Sequence, residues 1–335
     1  MIPGKSFWLL LIFAFSLTKA EAQYGCAPSE KLLKTKKIFD LENVNQIPLT
    51  AAENYLKGKV KTVTYKEFNI SEKDGRPNIK LLDTGYNVYD KEGHLVDQNT
   101  YTPDASYDLH CKYTYADSRL QEWAITISGF MKADNKTTFK YDKKGLKTES
   151  KEVDKDTTKN NRTTYKYDAA GNETEERLYE AKGDLKRVTT YKYDDRGNQI
   201  EYEMKDSKGK LILKLTCEYD KNGFKVSGAT YKPESDKPTK WTRKNDGEGR
   251  CTEMTDYNAD GSFKTKTAYT YDAKENVVQM LYYKENGSID ENGNNVFRSF
   301  EYDKAGNITN YTSYKLVGGK RIPDGYVETR YTYYE

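Results

Sequence analysis

His94 and His110 are the only histidines of the chain, and Cys111 directly follows the second. A thiol beside an imidazole invites a nucleophile–base reading, in which both groups must converge on one reacting atom. The surrounding "DLHCKYTY" alternates as a strand does, so the two side chains point to opposite faces and do not converge. His94 stands in "DKEGHLV", a turn. Carboxylates are abundant, but the recurring ones belong to turns, where their oxygens cap backbone N–H groups. A single Asp-x-x-Gly-Asn turn lacks the roughly six to eight oxygens that calcium takes. Cys26, Cys111, Cys217 and Cys251 are widely spaced with no C-x-x-C pair, which argues against zinc. More than one disulfide pairing is open to them, and spacing does not choose. The Asn-x-Ser/Thr sequons matter only in a eukaryotic secretory pathway. The expectation is a non-enzyme with no metal and no cofactor.

The elements that hold these residues are periodic. The phrase Tyr-x-Tyr-Asp-x-x-Gly-Asn recurs, as in Tyr167, Asp168, Gly171, Asn172 and again in Tyr193, Asp194, Gly197, Asn198. Its second Tyr falls at 89, 115, 141, 167, 193, 219, 245 (here Asn245) and 271, in steps of 26 residues, and then at 302 and 333 in steps of 31. Arg119 and Glu275 interrupt the glycine column. A fixed period of this size marks an array of one supersecondary unit. Each unit reads as two strands and two turns. "TTYKY" has the period of two, "DAAGN" turns, "ETEERLYEA" returns, and "KGDL", "ADGSF" or "ENGSI" makes the second turn, with hairpin-type D-G and N-G pairs. Tyr-x-Tyr puts two rings on one strand face, to stack on the rings one repeat away at about 0.2–1 kcal/mol per pair. The phrase is therefore read as scaffold, with a turn role for Tyr167, Asp168, Gly171, Asn172, Tyr193, Asp194, Gly197 and Asn198.

That motif resembles the YD repeat, also called the Rhs repeat, of bacterial Rhs and polymorphic-toxin proteins and of teneurins. The upstream "LKGKVKTVTYKEF" is similar to the opening of short exported YD-repeat proteins of Bacteroidetes-type bacteria. The likeness covers roughly residues 60 to 335. It implies a long antiparallel sheet coiled into a spiral or shell, which in large members encloses a toxin or supports adhesion and carbohydrate binding. No appended toxin domain is expected here.

Three segments are expected: a signal peptide over 1–22, a helical cap and linker over 23–58, and the repeat domain over 59–335. Lys5 and the apolar "FWLLLIFAFSL", too short to span a bilayer comfortably, precede Ala20-Glu21-Ala22, a signal-peptidase pattern that leaves Gln23 first. Cys26 offers a rival reading as a lipid anchor, but Gln23 and Tyr24 fit that pattern poorly. The expected address is exported: periplasmic, outer-membrane-associated or secreted. Ser29 would cap "EKLLKTKKIF", and the helices would cover a sheet edge.

Apolar residues make up 36% of the 335, and 30 tyrosines face 11 phenylalanines, so the core is thin and ring-rich. The charge of +3 on interleaved Lys and Glu carries no concentrated basic footprint for nucleic acid. About ten units give ~20 strands, more than an open sheet holds without curling. The fold expected is all-β: a long antiparallel meander, curled or spiral, with a short helical N-terminal cap. The face opposite the tyrosines carries Lys, Glu, Thr and Asp instead of a lipid-facing apolar band, which argues against a membrane barrel, and no transmembrane span is expected in the mature chain.

Departures from the repeat point to ligands. "KPESDKPTKW" replaces a clean turn, with Pro233 and Pro238 unable to donate to a ladder and Trp241 beside them as a sugar-stacking platform or a packing residue. In "QEWAITISGFM", Trp123, Ile125 and Ile127 share a face and read as packing. The two long steps place their extra residues in "NGSIDENGNN" and "VGGKRIPDGY", read as neighbouring loops. Candidate contacts are Tyr283, Asp290, Asn292, Lys320, Arg321, Asp324 and Tyr326, with Trp241. The function expected is a non-enzymatic scaffold or binding module for carbohydrate or an envelope or surface protein. The alternatives are a purely structural protein related to toxin-delivery or adhesion systems and, behind it, a secreted hydrolase.

Overall fold

The computed structural model describes residues 56–335, apart from 74, 75, 105, 130–132, 157, 159 and 292–294. The expected signal peptide, Cys26 and nearly all of the expected helical cap lie outside the described residues. No helix longer than a single turn occurs among those described; the chain is all-β, with twenty strands. Two units divide the described chain, one holding 163–179 and 183–295, the other 56–162, 180–182 and 296–335.

The first unit contains β8 (Arg162–Tyr167), β9 (Glu173–Tyr179), β10 (Leu185–Tyr193), β11 (Gln199–Asp206), β12 (Leu211–Tyr219), β13 (Lys225–Tyr231), β14 (Thr239–Asn245), β15 (Cys251–Tyr257), β16 (Phe263–Tyr271) and β17 (Val277–Tyr283). From β9 to β17 each strand pairs antiparallel with the next. The second unit contains β1 (Val60–Lys73), β2 (Arg76–Tyr89), β3 (Leu95–Tyr101), β4 (Tyr107–Ala116), β5 (Arg119–Gly129), β6 (Ala133–Tyr141), β7 (Lys147–Asp154), β18 (Val296–Tyr302), β19 (Ile308–Val317) and β20 (Lys320–Tyr333). It is likewise a meander, from β1 to β7 and from β18 to β20. Its first and last strands also pair, from Val60↔Tyr333 to Asn69↔Gly325. An open spiral would leave both as free edges that need a cap. Here each covers the other.

The repeated phrase builds its own turn. Asp168 N–H donates to the Asn172 carbonyl at 2.9 Å, Gly171 N–H to the Asp168 carbonyl at 3.2 Å, and Asn172 N–H to Asp168 Oδ1 at 2.9 Å. The Asn172 amide then donates to Asp168 Oδ2, also at 2.9 Å. Asp194 and Asn198 repeat this arrangement. Gly171 and Gly197 take φ of +90° and +82°, which favours glycine. The second turn uses the same three-residue geometry, with Gly261 N–H on the Asn258 carbonyl. Its D-G and N-G pairs are thus the last two residues of a type I turn with a glycine bulge, not the two-residue hairpin turns their sequence suggests. Arg119 falls outside the glycine column because Asp117 and Ser118, at φ +50° and +58°, close a two-residue turn, and Glu275 stands in for glycine at φ +71°.

The second tyrosine has a role that ring stacking does not explain. A bulge at each phrase, for example between Lys192 and Tyr193, skips Ile200 and sets Gln199, the next strand's first residue, opposite Tyr193. The tyrosine one repeat later donates to that residue's carbonyl: Tyr193 to Glu173 at 2.7 Å, Tyr219 to Gln199 at 3.0 Å and Tyr271 to Cys251 at 2.7 Å. Asn245, which breaks the tyrosine column, donates its amide to the Lys225 carbonyl at 2.8 Å and so performs the same task. Phenylalanine could not, and none stands in this column.

The tyrosine face is the buried one. In the first unit Tyr202, Met204, Leu213, Leu215, Cys217 and Trp241 cluster, with Tyr191 and Tyr219 packed against them. In the second, Tyr89, Leu95, Tyr107, Leu109, Cys111, Ile125 and Ile127 are buried. Neither Cys111 nor Cys251 takes part in a disulfide of the kind an exported address permits.

Candidate functional site

The face opposite the tyrosines is ordered by a second rule. In four units the lysine before the second tyrosine, or before its substitute Asn245, pairs with a glutamate across the next strand: Lys140–Glu149, Lys166–Glu175, Lys192–Glu201 and Lys244–Glu253, each at 2.7 Å. Exposed pairs of this kind contribute about 0–1 kcal/mol and leave a neutral, solvated surface.

Other units depart from it, with Glu218 opposite Ser227, Thr270 opposite Gln279 and Glu301 opposite Asn310, and strands β2, β3 and β4 depart in their own way. In the phrase that ends at Tyr89, Val88 takes the lysine's place and its partner across the ladder is Asp97. With Val88 opposite it on β2 and Lys112 opposite it on β4, Asp97 places Oδ1 at 2.9 Å from His110 Nε2, and its carboxylate also bonds the Tyr86 hydroxyl. The next rungs of the same face place Tyr86 opposite Asn99 and Asn99 opposite His110, then Thr84 opposite Tyr101 and Tyr101 opposite Asp108. Asn99 donates its amide to Asp108 Oδ1 at 2.9 Å, and Asn99 Oδ1 has no hydrogen-bond partner. Burial pushes the Tyr86 hydroxyl above its ordinary value, and the charge of Asp97 adds to the shift. Tyr101 leaves 41% of its surface exposed.

These groups form a flat patch of two tyrosines, two carboxylates, an amide and an imidazole. Such a surface can bond hydroxyl groups in both directions and stack a ring on an apolar C–H face. It is not arranged for nucleophilic catalysis. His110 bonds Asp97 alone, and Cys111 lies on the opposite face, 1% exposed, its thiol pushed up by burial. His94 belongs to a turn, bonded to Asp90 at 3.0 Å and stacked on Tyr115.

The residues expected to contact a ligand are dispersed. Trp241 is 3% exposed, packed across Gly228, whose added Cβ would meet the indole at 2.5 Å; it offers no platform. Lys320, Arg321, Asp324 and Tyr326 do not sit in a loop. The extra residues lengthen β19 and β20, which stay paired to Val317↔Lys320 around Gly318 and Gly319. There Tyr326 stacks on Phe68 at 4.4 Å, Arg321 covers Phe297 at 4.1 Å, and Asp324 accepts from Ser313 at 2.7 Å. Tyr283 and Asp290 belong to the first unit, where Lys266 Nζ lies 4.8 Å above the Tyr283 ring and Asp290 N–H donates to the Tyr282 carbonyl. Asn292 lies outside the described residues. The turn residues Asp168 and Asp194 are occupied by their own backbone; bonds from the Asn172 side chain and backbone hold Asp168 below the usual carboxylate range. Among the described residues no group of three His, Cys, Asp or Glu is placed to hold a metal.

Sequence reasoning missed the patch of Tyr86, Asp97, Asn99, Tyr101, Asp108 and His110. Its signal was present: Val88 and Asp97 stand where four other units have Lys and Glu.

No family model matches the chain, and no curated protein does. Among solved structures, it is similar to a porin-like protein from Bacteroides uniformis, at 13% identity and a TM-score of 0.37, covering 82% of this chain and 99% of that one. It is also similar to TcdB2-TccC3, at 12% identity and a TM-score of 0.28 over 76% of this chain, and to TcdB2-TccC3-Cdc42, at 13% and 0.29 over 78%. The chain spans about a fifth of those two structures' length, 20% and 22%.

Proposed function

We propose that this protein is an exported, non-enzymatic binding module whose ligand is carbohydrate, held on the patch of β2–β4. The observation that supports this is the exchange of the Lys–Glu rung for Tyr86, Asp97, Asn99, Tyr101, Asp108 and His110, with the Tyr101 ring open to solvent. Asp97 and Asp108 would accept from sugar hydroxyls, and Tyr101 would stack on the ring. No cofactor is needed for this role. Export follows from the leader: mature protein in cell fractions should begin at Gln23, and full-length protein in a soluble cytoplasmic fraction would overturn that part.

A glycan array tests the rest. The parent should bind at least one glycan class, and Tyr101→Ala and Asp108→Ala should each weaken it by roughly tenfold without loss of fold. Binding that survives both changes removes the patch. A parent silent on every glycan leaves the purely structural reading, and reducing-end release from a polysaccharide would show a hydrolase.

A further inference from the structure

Past its last pair with β20, Asn69↔Gly325, β1 continues paired only with β2, from Ile70↔Ile79 to Lys73↔Arg76. The other side mirrors it. Residues 320–323 of β20 pair only with β19, from Tyr314↔Pro323 to Val317↔Lys320. Their outer neighbours stop short, β3 at Thr84↔Tyr101 and β18 at Phe297↔Tyr314. Two hairpin tips therefore project, the first by four residue pairs and the second by three, roughly 10–14 Å at ~3.4 Å per residue.

Hairpin tips in water are ordinarily polar. These carry Ile79, Val317 and Ile322, exposed by 55%, 49% and 41%. They are three of the seven large apolar residues so exposed among the described residues, and the two most exposed of all are here. Cations outnumber acids beside them, with Glu72 and Asp74 against Lys73, Arg76 and Lys80 in the first hairpin. "YKLVGGKRIP" holds Lys315, Lys320 and Arg321 and no acid, and Arg76 and Lys80 flank Ile79. All five are exposed, and none forms an ion pair among the described residues, whereas Lys140 of the same unit has its glutamate. Of the neighbouring described acids, Glu72 is exposed on β1, while Asp324 accepts from Ser313. Exposed aliphatic side chains ringed by unmatched cations supply both terms of binding to an anionic bilayer: apolar burial at the headgroup boundary, and attraction of about 1 kcal/mol per cation near the surface. A polyanion without acyl chains would use the cations and leave the aliphatic tips in water.

We propose that the two tips, residues 76–80 and 315–323, dock on an anionic lipid surface. Ile79, Val317 and Ile322 enter the headgroup boundary, and Lys80, Lys315 and Lys320 face lipid phosphates. This stands apart from the carbohydrate reading, which uses β2–β4.

The test is co-sedimentation of the exported form, from Gln23 onward so that the apolar leader does not itself bind, with vesicles of phosphatidylcholine alone or mixed with phosphatidylglycerol. Binding should appear on the mixed vesicles, fall steeply with salt, and weaken roughly tenfold when Ile79, Val317 and Ile322 are all changed to Asn with every cation kept. Lys320→Gln with Arg321→Gln should weaken it comparably. No sedimentation with the mixed vesicles at low salt overturns the proposal, as does equal binding by the triple Asn form. A second reading does not depend on that form's stability. Val317→Trp should show a blue-shifted difference spectrum on mixed vesicles, and an unchanged spectrum counts against docking.

Discussion

The two units bury carboxylates on the same face and treat them differently. In the first, Glu176 on β9 is 3% exposed and meets Arg187 on β10 at 3.5 Å. In the second, Glu67 on β1 stands directly opposite Asp83 on β2, and Asp83 is 4% exposed. Val327 of β20 is the other cross-strand neighbour of Glu67, Tyr65 lies close by, and Asp83 Oδ1 has no hydrogen-bond partner. Among the described residues no cation pairs with Glu67 or Asp83. Burial pushes Glu67 up to about 7, with Asp83 adding, and pushes Asp83 up to about 6. One frame can thus hold a carboxylate as half of an ion pair or as a group that keeps its proton. The repeat dictates the backbone and leaves the rung free.

The largest effect should come from breaking the ion pair. Arg187→Met leaves the Glu176 charge buried beside Tyr191 and Tyr202, and should cost about 3 kcal/mol in denaturant unfolding at neutral pH. The matching change in the second unit should have the opposite sign. Asp83→Asn removes a charge that has no partner, and should raise the unfolding midpoint at pH 8. Destabilisation by both would erase the contrast between the units.

Next in size is pH dependence. Glu67 and Asp83 have folded pKa values above their ordinary 4.5 and 3.8, so the folded chain holds their protons more tightly than the unfolded chain. Their contribution is fullest below those ordinary values and is lost as pH rises through about 6 and 7. Thermal unfolding should therefore fall by a few degrees between pH 5 and pH 8, and Glu67→Gln with Asp83→Asn should flatten that slope. A slope unchanged by the double substitution would place the titration elsewhere.

How much of this was legible depends on what the period fixes. Strands, turns and the buried face follow from spacing alone: Tyr-x-Tyr sets the face, and Asp with Gly-Asn sets the turn. The hydroxyl bond of Tyr193 was not legible, because its acceptor, the Glu173 carbonyl, lies at the start of β9 in the preceding repeat and only the fold brings the two together. The extra residues of the last step looked like a loop because Gly318 and Gly319 punctuate them, yet both flanks continue the alternation of strands. Trp241 looked like a platform because prolines precede it, but pairing opposite Gly228 gives its ring a cavity to fill. The patch on β2–β4 was hidden for another reason. Tyr86, Asn99 and His110 are distant in sequence, and only the register puts them on one rung.

A smaller effect should be shared by both units, because it belongs to the frame. Tyr193→Phe in the first and Tyr141→Phe in the second remove hydroxyls that bond Glu173 and Leu120 carbonyls at 2.7 and 2.6 Å. Each should lose about 1 kcal/mol, and Asn245→Ala should lose a similar amount with the Lys225 carbonyl. Phenylalanine keeps the ring, so the loss isolates the hydrogen bond from the stacking. A neutral result at Tyr193 and Tyr141 together would return the tyrosine to a packing role.

The smallest effect should fall on the charged face, and it sharpens the contrast with the patch. Lys192–Glu201 is a solvated pair, with Lys192 68% exposed, and Glu201 keeps Lys214 at 2.8 Å when Lys192 is lost. Lys192→Gln should therefore shift stability by less than about 0.5 kcal/mol, and that shift should vanish in high salt. Asp97→Asn on β3 should be nearly as mild for unfolding, since Asp97 and His110 are both partly exposed. The two should part on ligand binding. Lys192→Gln leaves the patch intact, whereas Asp97→Asn weakens the acceptor shared by Tyr86 and His110. Equal glycan binding by both variants would mean that the departure from the Lys–Glu rung is only another way of covering a strand.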